Sequence, residues 1–331
     1  MRNKLGCILL ALLFVTFGNP LRSQDRGSFL WRIDRHFGLS STRKIDTAFY
    51  CLEPRGWMLN LNNNFAIMGL SADFSDGLSA ESHLEALSQF NYSIGVTAGY
   101  RNLILGYSFA RPVGRASDML LFIAGNAWGV EYRRYENEDL QGRVSGTLQA
   151  LDVAAGDIRV DTRHLRAYHV FSSDKFSMTA ANDHRCIQLR SAGSVLFYTD
   201  YARRGIDFVN SDLVSRFGGV ERLQNEAASL GLGYGYNYTP NRGRLLFHAA
   251  AVPMFVVIMN DCLYRTDGIE SHRNGRFRMQ WLARLTANYR LNDYWGANLS
   301  MIYCRSSFDV PEHARADWND ILIRATLCFR F

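Results

Sequence analysis

The stretch that decides the fold is Phe277-Arg278-Met279-Gln280-Trp281-Leu282-Ala283-Arg284-Leu285-Thr286-Ala287-Asn288-Tyr289-Arg290-Leu291. Its odd-numbered positions are all apolar, and its even-numbered positions are polar with the single exception of Leu282. On a helix these apolar side chains would surround the whole circumference, so the period of two predicts a β-strand. A strand of this length, with one apolar and one polar face, is typical of a membrane-spanning strand rather than of a soluble sheet.

The end of the chain repeats this alternation. Odd-numbered positions from Ile321 to Phe331 are apolar, while Arg324, Thr326 and Arg330 occupy the other face. A closing strand that ends on Phe331 resembles the assembly signal of bacterial outer-membrane barrels. We therefore expect two partners, the lipid of the outer membrane and the barrel-assembly machinery, the latter through this C-terminal strand.

The same alternation, weaker in places, predicts further strands along the chain. These are Trp57–Phe74, Asn91–Tyr100, Asn102–Arg111, Leu120–Arg134, Ile158–Phe171, Val195–Tyr201, Ala227–Tyr238, Leu245–Ile258 and Trp295–Phe308. Whether Lys175–Ala181 adds a further short strand is left open. Two long polar stretches, Arg203–Glu226 and Asn260–Arg276, are interpreted as loops, and Tyr135–Asp157 breaks the pattern. The fold expected for residues 55–331 is all-β, an antiparallel transmembrane β-barrel of about twelve strands, with ten or fourteen as alternatives.

The N-terminus predicts the compartment. Arg2 and Lys4 precede the apolar run Gly6–Phe17, and Ser23 follows as a small residue suited to cleavage. This arrangement is typical of a secretory signal peptide over residues 1–23. Residues 24–54 are then a periplasmic segment, either a short helix, a plug or a disordered leader. The expected location is the outer membrane of a Gram-negative cell.

Composition excludes two other classes of protein. The chain has 331 residues, a mean hydropathy of −0.14 and a net charge of +6. Beyond the leader it has no apolar run of the ~20 residues that a spanning helix needs. Removing Arg2, Lys4 and Arg22 with the leader lowers the charge to +3, which is too small to predict nucleic-acid binding.

Residues suited to chemistry are sparse. Five cysteines follow the leader without C-x-x-C or zinc-ligand spacing, so no metal site and no cofactor is expected. Their disulfide state is open, although Cys304 and Cys328 fall on neighbouring predicted strands. His184 lies near Ser191 and Ser194, but no G-x-S-x-G string accompanies them. We therefore expect that the protein is not an enzyme.

Arginine dominates the predicted inner face. Only three of the 37 basic residues are lysines, and the lumen-facing candidates are Arg278, Arg284, Arg290, Arg324 and Arg330. A row of guanidinium groups in a lumen would favour anions. Alternatively, carboxylates pair with the arginines and leave a packed interior without an open path. We favour the filled or narrow interior.

Several strings resemble a known family. They are Asp46-Thr47-Ala48-Phe49-Tyr50 before Glu53-Pro54, then Asn91-Tyr92-Ser93-Ile94-Gly95-Val96, Leu105-Gly106-Tyr107-Ser108-Phe109, Lys175-Phe176-Ser177 and, above all, Gln188-Leu189-Arg190-Ser191-Ala192-Gly193-Ser194. The chain is similar over residues 46–331 to the outer-membrane barrel-like family called domain of unknown function 4421. Where that family often has Asn-Gln, this chain has Asn182-Asp183-His184-Arg185. The resemblance implies an outer-membrane location and no catalytic residue.

The functional hypothesis is a narrow channel for small or anionic solutes. The alternative is a structural or surface-binding barrel without transport, whose two long polar stretches form the contact surface. A lipid-modifying membrane enzyme is a third and weaker hypothesis.

Overall fold

The computed structural model describes residues 45–75, 81–88, 91–100, 103–110, 117–125, 127–147, 149–183, 185–273, 278–310 and 314–331. The predicted signal peptide, most of the 24–54 segment and His184 lie outside the described residues, and what the sequence indicates for them stays a prediction.

Strands account for most of the described chain. In order the elements are β1 (Tyr50–Leu52), β2 (Trp57–Ser75), β3 (Glu81–Ser88), β4 (Asn91–Tyr100), β5 (Leu103–Ala110), β6 (Ser117–Ala124), β7 (Trp128–Asn137), β8 (Leu140–Gly146), β9 (Leu151–Val153), β10 (Ile158–Val170), α1 (Met178–Asp183), β11 (Cys186–Gln188), β12 (Ala192–Phe208), α2 (Ser211–Arg216), β13 (Val220–Tyr238), β14 (Leu245–Arg265), β15 (Gly268–Arg273), β16 (Arg278–Arg290), β17 (Trp295–Val310) and β18 (Ala314–Arg330). No helix within these described ranges is long and apolar enough to cross a bilayer.

One antiparallel sheet curls until its ends meet. The hydrogen-bonded order runs β18-β17-β16-β14-β13-β12-β10-β7-β6-β5-β4-β2, and β18 also pairs with β2, from Arg330 opposite Met58 to Ala314 opposite Phe74. Among the described residues this ring contains twelve strands. Strands β3, β8 and β9 continue sideways from β2, β15 extends β14, and β1 pairs separately with β11. We call the end of the ring at Trp57 and Phe331 the lower end.

The all-β antiparallel fold is confirmed, but several element boundaries were wrong. The predicted strand Leu120–Arg134 is two strands, β6 and β7, separated at Gly125. The stretch Lys175–Ala181, for which the sequence leaves a short strand open, is a turn followed by helix α1. Ser177 explains the helix, because its Oγ accepts a hydrogen bond from the Ala180 amide at 3.1 Å, and such an N-cap satisfies an otherwise unpaired donor.

The two predicted long loops are mostly strand. Arg203 lies directly opposite Glu226 in the pairing of β12 with β13, and most of Asn260–Arg276 belongs to the upper end of β14 and to β15. The sequence pattern did not reveal them because a membrane-spanning strand is recognised by an apolar outward face. In these upper segments the outward face is polar.

In the lower half of the ring the distribution of polar and apolar side chains is opposite to that of a soluble protein. On β16, Leu285 is 50% exposed while its neighbour Thr286 is 5% exposed, and on β2 the outward Leu61 is 48% exposed while the inward Asn62 is 4% exposed. Apolar side chains therefore face outward and polar side chains face inward. This arrangement is unfavourable in water and suits a lipid environment.

The polarity reverses in the upper half of the same strands. Along β18, Arg315, Asp317 and Asn319 alternate with the buried Ala314, Ala316 and Trp318, whereas below them Ile321, Ile323 and Leu327 occupy the outward positions. Strand β2 reverses at the matching level, since Ile67 pairs with Ile321. The upper half is built as a water-exposed protein would be.

The described cysteines are all free thiols. Cys304 lies opposite Asp320, and Cys328 lies opposite Gly296, in the pairing of β17 with β18. The two thiols are therefore eight register positions apart, and no bridge joins them.

Candidate functional site

The interior of the ring encloses a chamber of about 120 Å³. The arginine, carboxylate and histidine side chains that line it are Arg133, Arg166, Arg284, Arg324, Glu131, Asp320 and His164. Two of the five predicted lumen-facing arginines, Arg284 and Arg324, thus belong to the chamber. Four guanidinium groups face two carboxylates, so the lining has an excess of positive charge.

Glu131 on β7 is shared by two arginines. Its Oε1 lies 3.7 Å from Nη1 of Arg166, and its Oε2 lies 3.8 Å from Nη2 of Arg284. Hydrogen bonds between guanidinium and carboxylate are shorter, about 2.7–2.9 Å. Glu131 therefore offsets the charge of the two arginines without using their hydrogen-bond donors.

A second carboxylate lies beside the chamber on β12. Asp200 accepts a hydrogen bond from Nδ1 of His164 at 3.2 Å and lies 3.5 Å from Nε of Arg166. Nearby, Nη1 of Arg204 donates to Oδ1 of Asn225 at 3.3 Å. These contacts fix the positions of the chamber's charged wall.

A segment between two ring strands closes the chamber from below. Residues 171–191, which we call the inserted segment, connect β10 to β12 and contain α1. Nδ2 of Asn288 donates to the carbonyl oxygens of Ala180 at 2.6 Å and Ala181 at 2.8 Å. Nη1 of Arg284 donates to Oδ1 of Asn182 at 2.6 Å. The inner faces of the barrel strands thus bind the helix backbone, and Asn182 becomes part of the chamber floor.

The other three predicted arginines lie away from the chamber. Nη2 of Arg290 and Nη1 of Arg330 lie 3.4 and 3.9 Å from Oε2 of the buried Glu53, at the lower end. Arg278 donates to Oδ2 of Asp309, on neighbouring strands towards the upper end. Every one of the five predicted arginines therefore has a polar partner, as a filled interior requires.

The residues of β1, which precede β2, bind the lower side of the inserted segment. Strand β1 pairs with β11, and the Tyr50 hydroxyl donates to the Ser173 carbonyl at 2.5 Å. Burial strongly raises the pKa of Tyr50, and burial also raises the pKa of the Cys51 thiol. Both groups therefore stay neutral at physiological pH.

Apolar side chains close the chamber from above. Phe217, directly after α2, stacks on Phe74 with ring centroids 4.0 Å apart and meets Phe208 at 4.9 Å. Leu213 of α2 is fully buried in the same cluster. The upper lumen is thus filled by a hydrophobic core, which excludes water from that end.

Most charged residues of the chamber, among them Glu131, Arg133, Arg166 and Asp320, were not among the predicted site residues. The alternation of side chains along β10 could have identified Arg166, because every second residue from Thr162 to Tyr168 lies on the inward face of that strand. Asn182 carried no such signal, since it lies in the helix of the inserted segment.

The two serines near His184 have structural partners. Ser191 Oγ accepts from the Thr239 amide at 3.0 Å, and Ser194 Oγ accepts from the Ser172 amide at 2.9 Å. Within the described residues, His, Cys, Asp and Glu side chains form no group of three that suits a metal ion.

One family model, Domain of unknown function (DUF4421), matches residues 44–331. The chain belongs to this family. The predicted resemblance over residues 46–331 is thereby confirmed. No curated protein matches this member of DUF4421.

Solved outer-membrane proteins are distantly similar to this DUF4421 chain. The outer membrane protease OmpT from Escherichia coli has a TM-score of 0.42 at 7% identity, covering 85% of this chain and 98% of its own. OprG from Pseudomonas aeruginosa has a TM-score of 0.30 at 11% identity, over 84% of this chain and 97% of OprG. The toluene transporter TodX from P. putida has a TM-score of 0.27 at 10% identity, over 84% of this chain and 91% of TodX.

The string Gln188–Ser194, the most specific part of the DUF4421 resemblance, holds the inserted segment in place through its first residue. Gln188, only 1% exposed, donates from Nε2 to the carbonyls of Lys175 at 2.7 Å and Arg190 at 3.0 Å. Its Oε1 accepts from the Ser177 amide at 3.1 Å and from Nδ2 of Asn237 at 3.0 Å. One side chain therefore ties both ends of the inserted segment to β13.

Proposed function

We propose that this protein is an outer-membrane β-barrel whose twelve ring strands cross the bilayer with their lower halves. The supporting observation is the reversal of polarity at one level of neighbouring strands. Below that level, Ile321–Phe331 of β18 provides about eleven residues with an apolar outer face, and a tilted spanning strand needs about 9–11. Above it, the polar outer face of the strands extends into water on the far side.

Aromatic side chains at the lower end support this placement. Trp57 and Tyr100 pack with ring centroids 4.8 Å apart, as do Trp295 and Phe329. Aromatic rings concentrate at bilayer interfaces because one edge is apolar and the other accepts water. We propose outer-membrane lipid as the partner of this surface.

We further propose that the barrel-assembly machinery recognises β18 through Phe331. Replacing Phe331 with Ala is expected to slow assembly in cells while leaving spontaneous folding into detergent close to wild type. Equal slowing of both processes would instead assign Phe331 to barrel closure, where its amide donates to the Trp57 carbonyl at 3.1 Å.

Within that barrel we propose a narrow passage for small anionic solutes. The excess of guanidinium groups in the chamber supports this function, because a positive lining raises the local concentration of anions. The inserted segment fills the lower end and the aromatic cluster fills the upper end, so passage requires one or both to move. Catalysis forms no part of this proposal, since the serine hydroxyls discussed above serve as structural acceptors.

Conductance through planar bilayers tests the passage. Refolded protein is expected to give small, anion-selective steps, and shortening the inserted segment between Lys175 and Arg185 is expected to enlarge them. The absence of steps from both proteins would refute the channel. It would favour the second candidate, a structural or surface-binding barrel, for which the closure of both ends is the supporting observation.

A further inference from the structure

The chamber contains polar groups that their protein neighbours leave unused. Arg166 lines the chamber with an 8% exposed side chain, and its Nε, although 3.5 Å from Oδ1 of Asp200, makes no hydrogen bond to a described residue. Thr162 Oγ1, on the same face of β10, is likewise buried and unpaired within the described structure. Burying such groups is unfavourable unless a further molecule binds them.

Glu131 lies between two guanidinium groups without a hydrogen bond to either. Arg166 and Arg284 both approach this carboxylate, but at 3.7 and 3.8 Å rather than at hydrogen-bond distance. Their planar donor groups match the oxygens of a carboxylate or phosphate. Charge balance favours the same occupant, since the four arginines of the lining face two carboxylates of the lining and the adjoining Asp200, and uncompensated buried charge is destabilising.

Asn182 of the inserted segment already supplies one oxygen to this pair. Its Oδ1 lies 2.6 Å from Nη1 of Arg284. An amide oxygen is a neutral acceptor, and a charged oxygen forms a bond roughly twice as strong. An oxyanion at the position of the Asn182 amide oxygen would therefore form a stronger hydrogen bond with Arg284 than Asn182 does.

We propose that the chamber binds a small oxyanion, a carboxylate or a phosphate, between Arg166 and Arg284. Asn182 lies at the floor of this site and occupies one donor of Arg284 when the oxyanion is absent. The volume of about 120 Å³ limits the ligand to about ten heavy atoms. The site rests on the proposed function because it lies in the same lumen, and it names the class of solute that the lumen takes.

Binding to the refolded full chain in detergent tests the site. Acetate, succinate and inorganic phosphate are titrated separately by calorimetry, so that the carboxylate and phosphate arms are distinguished. At least one is expected to bind, and Arg166→Gln and Arg284→Gln are each expected to raise its Kd at least tenfold. The matched control is Arg143→Gln on β8, outside the ring with a 68% exposed side chain, whose Kd should equal wild type.

Two variants of Asn182 keep the test decisive if the arginine variants misfold. Asn182→Asp places a resident carboxylate on Arg284, so added oxyanions should bind at least tenfold more weakly while Tm does not fall. Asn182→Ala removes the competing acceptor, and the affinity of this variant for the oxyanion should equal or exceed that of wild type.

The site is overturned if none of the three anions binds, or if Arg143→Gln weakens binding as much as Arg166→Gln. Binding without conductance would refute the passage alone, and conductance without binding would refute the site alone.

Discussion

Gln188 illustrates how much one buried side chain can organise. Its amide group makes hydrogen bonds to three different parts of the inserted segment and to Asn237 of β13. A side-chain amide has two donors and one acceptor oxygen, and here both kinds of group are used. No other residue type of this size offers the same combination of donors and acceptors.

Gln188→Ala is expected to lower the free energy of unfolding by about 3 kcal/mol, because several buried partners lose their hydrogen bonds at once. The midpoint of urea unfolding in detergent measures this change, and protease cleavage within residues 171–191 should become faster. Gln149→Ala, at an exposed position, is the control. Equal midpoints for the two variants would contradict the anchoring role.

Gly235 shows why a small residue lies inside the barrel wall. A Cβ at this position would lie 2.9 Å from Cδ1 of Leu196 and 3.1 Å from Cζ of Phe176. Gly235→Val is therefore expected to cost about 1–3 kcal/mol by overpacking. In combination with Phe176→Ala, the loss should be smaller than the sum of the two single losses. Simple additivity in thermal or urea unfolding would show that Phe176 does not pack against β13.

At the scale of elements, the inserted segment and β1 form one unit although they are far apart in sequence. The β1–β11 pairing, the Tyr50 hydroxyl and the contacts of Glu53 with Arg290 and Arg330 all join the start of the described chain to this unit. The sequence left open a plug formed by residues 24–54. Residues 24–44 lie outside the described residues, so that hypothesis stays a prediction. Among the described residues, 171–191 fill the lower lumen, including the Lys175–Ala181 stretch in which the sequence suggested a short strand.

Tyr50 gives this unit a defined pH dependence. Burial raises its pKa, whereas in the unfolded chain tyrosine ionises near pH 10. The folded state then binds more protons than the unfolded state above about pH 10, so stability is intact below that pH and falls as pH rises towards the raised folded pKa. Tyr50→Phe is expected to be less stable at pH 8, through loss of the bond to Ser173, but to lose less stability between about pH 9 and 11. Parallel pH curves for wild type and variant would contradict this account.

At the scale of the whole molecule, the reversal of polarity divides one closed sheet into a half suited to lipid and a half suited to water. The lower half exposes apolar residues and buries polar ones, and the upper half does the opposite around its aromatic cluster. Mean hydropathy averages these halves and the two faces of each strand, which is why its value resembles that of a soluble protein.

Replacing an exposed leucine with arginine should distinguish a surface in lipid from a surface in water. Leu285→Arg, in the middle of β16, is expected to destabilise the barrel in lipid vesicles by about 2–4 kcal/mol, as a charge facing the bilayer centre does. Leu87→Arg, at a residue that is 59% exposed against 50% for Leu285 but lies on β3 outside the ring, should change the free energy of unfolding by less than about 0.5 kcal/mol. Folding yield and urea midpoints in vesicles measure both. Equal effects would place the two residues in the same solvent and refute the proposed membrane level.

The sequence by itself determined the all-β class and the alternating apolar and polar faces of β16 and β18. Each of these follows from the period of two, which is a local property of a strand. The number of ring strands, twelve, equals the expected number partly by compensation, because a further strand was counted at Lys175–Ala181 while β6 and β7 were merged. Tertiary structure alone decided that β18 closes on β2, that residues 171–191 turn into the lumen and that Arg284 meets both Asn182 and Glu131. These contacts join residues more than a hundred positions apart, and no local pattern encodes such pairings because they depend on how the whole sheet curls.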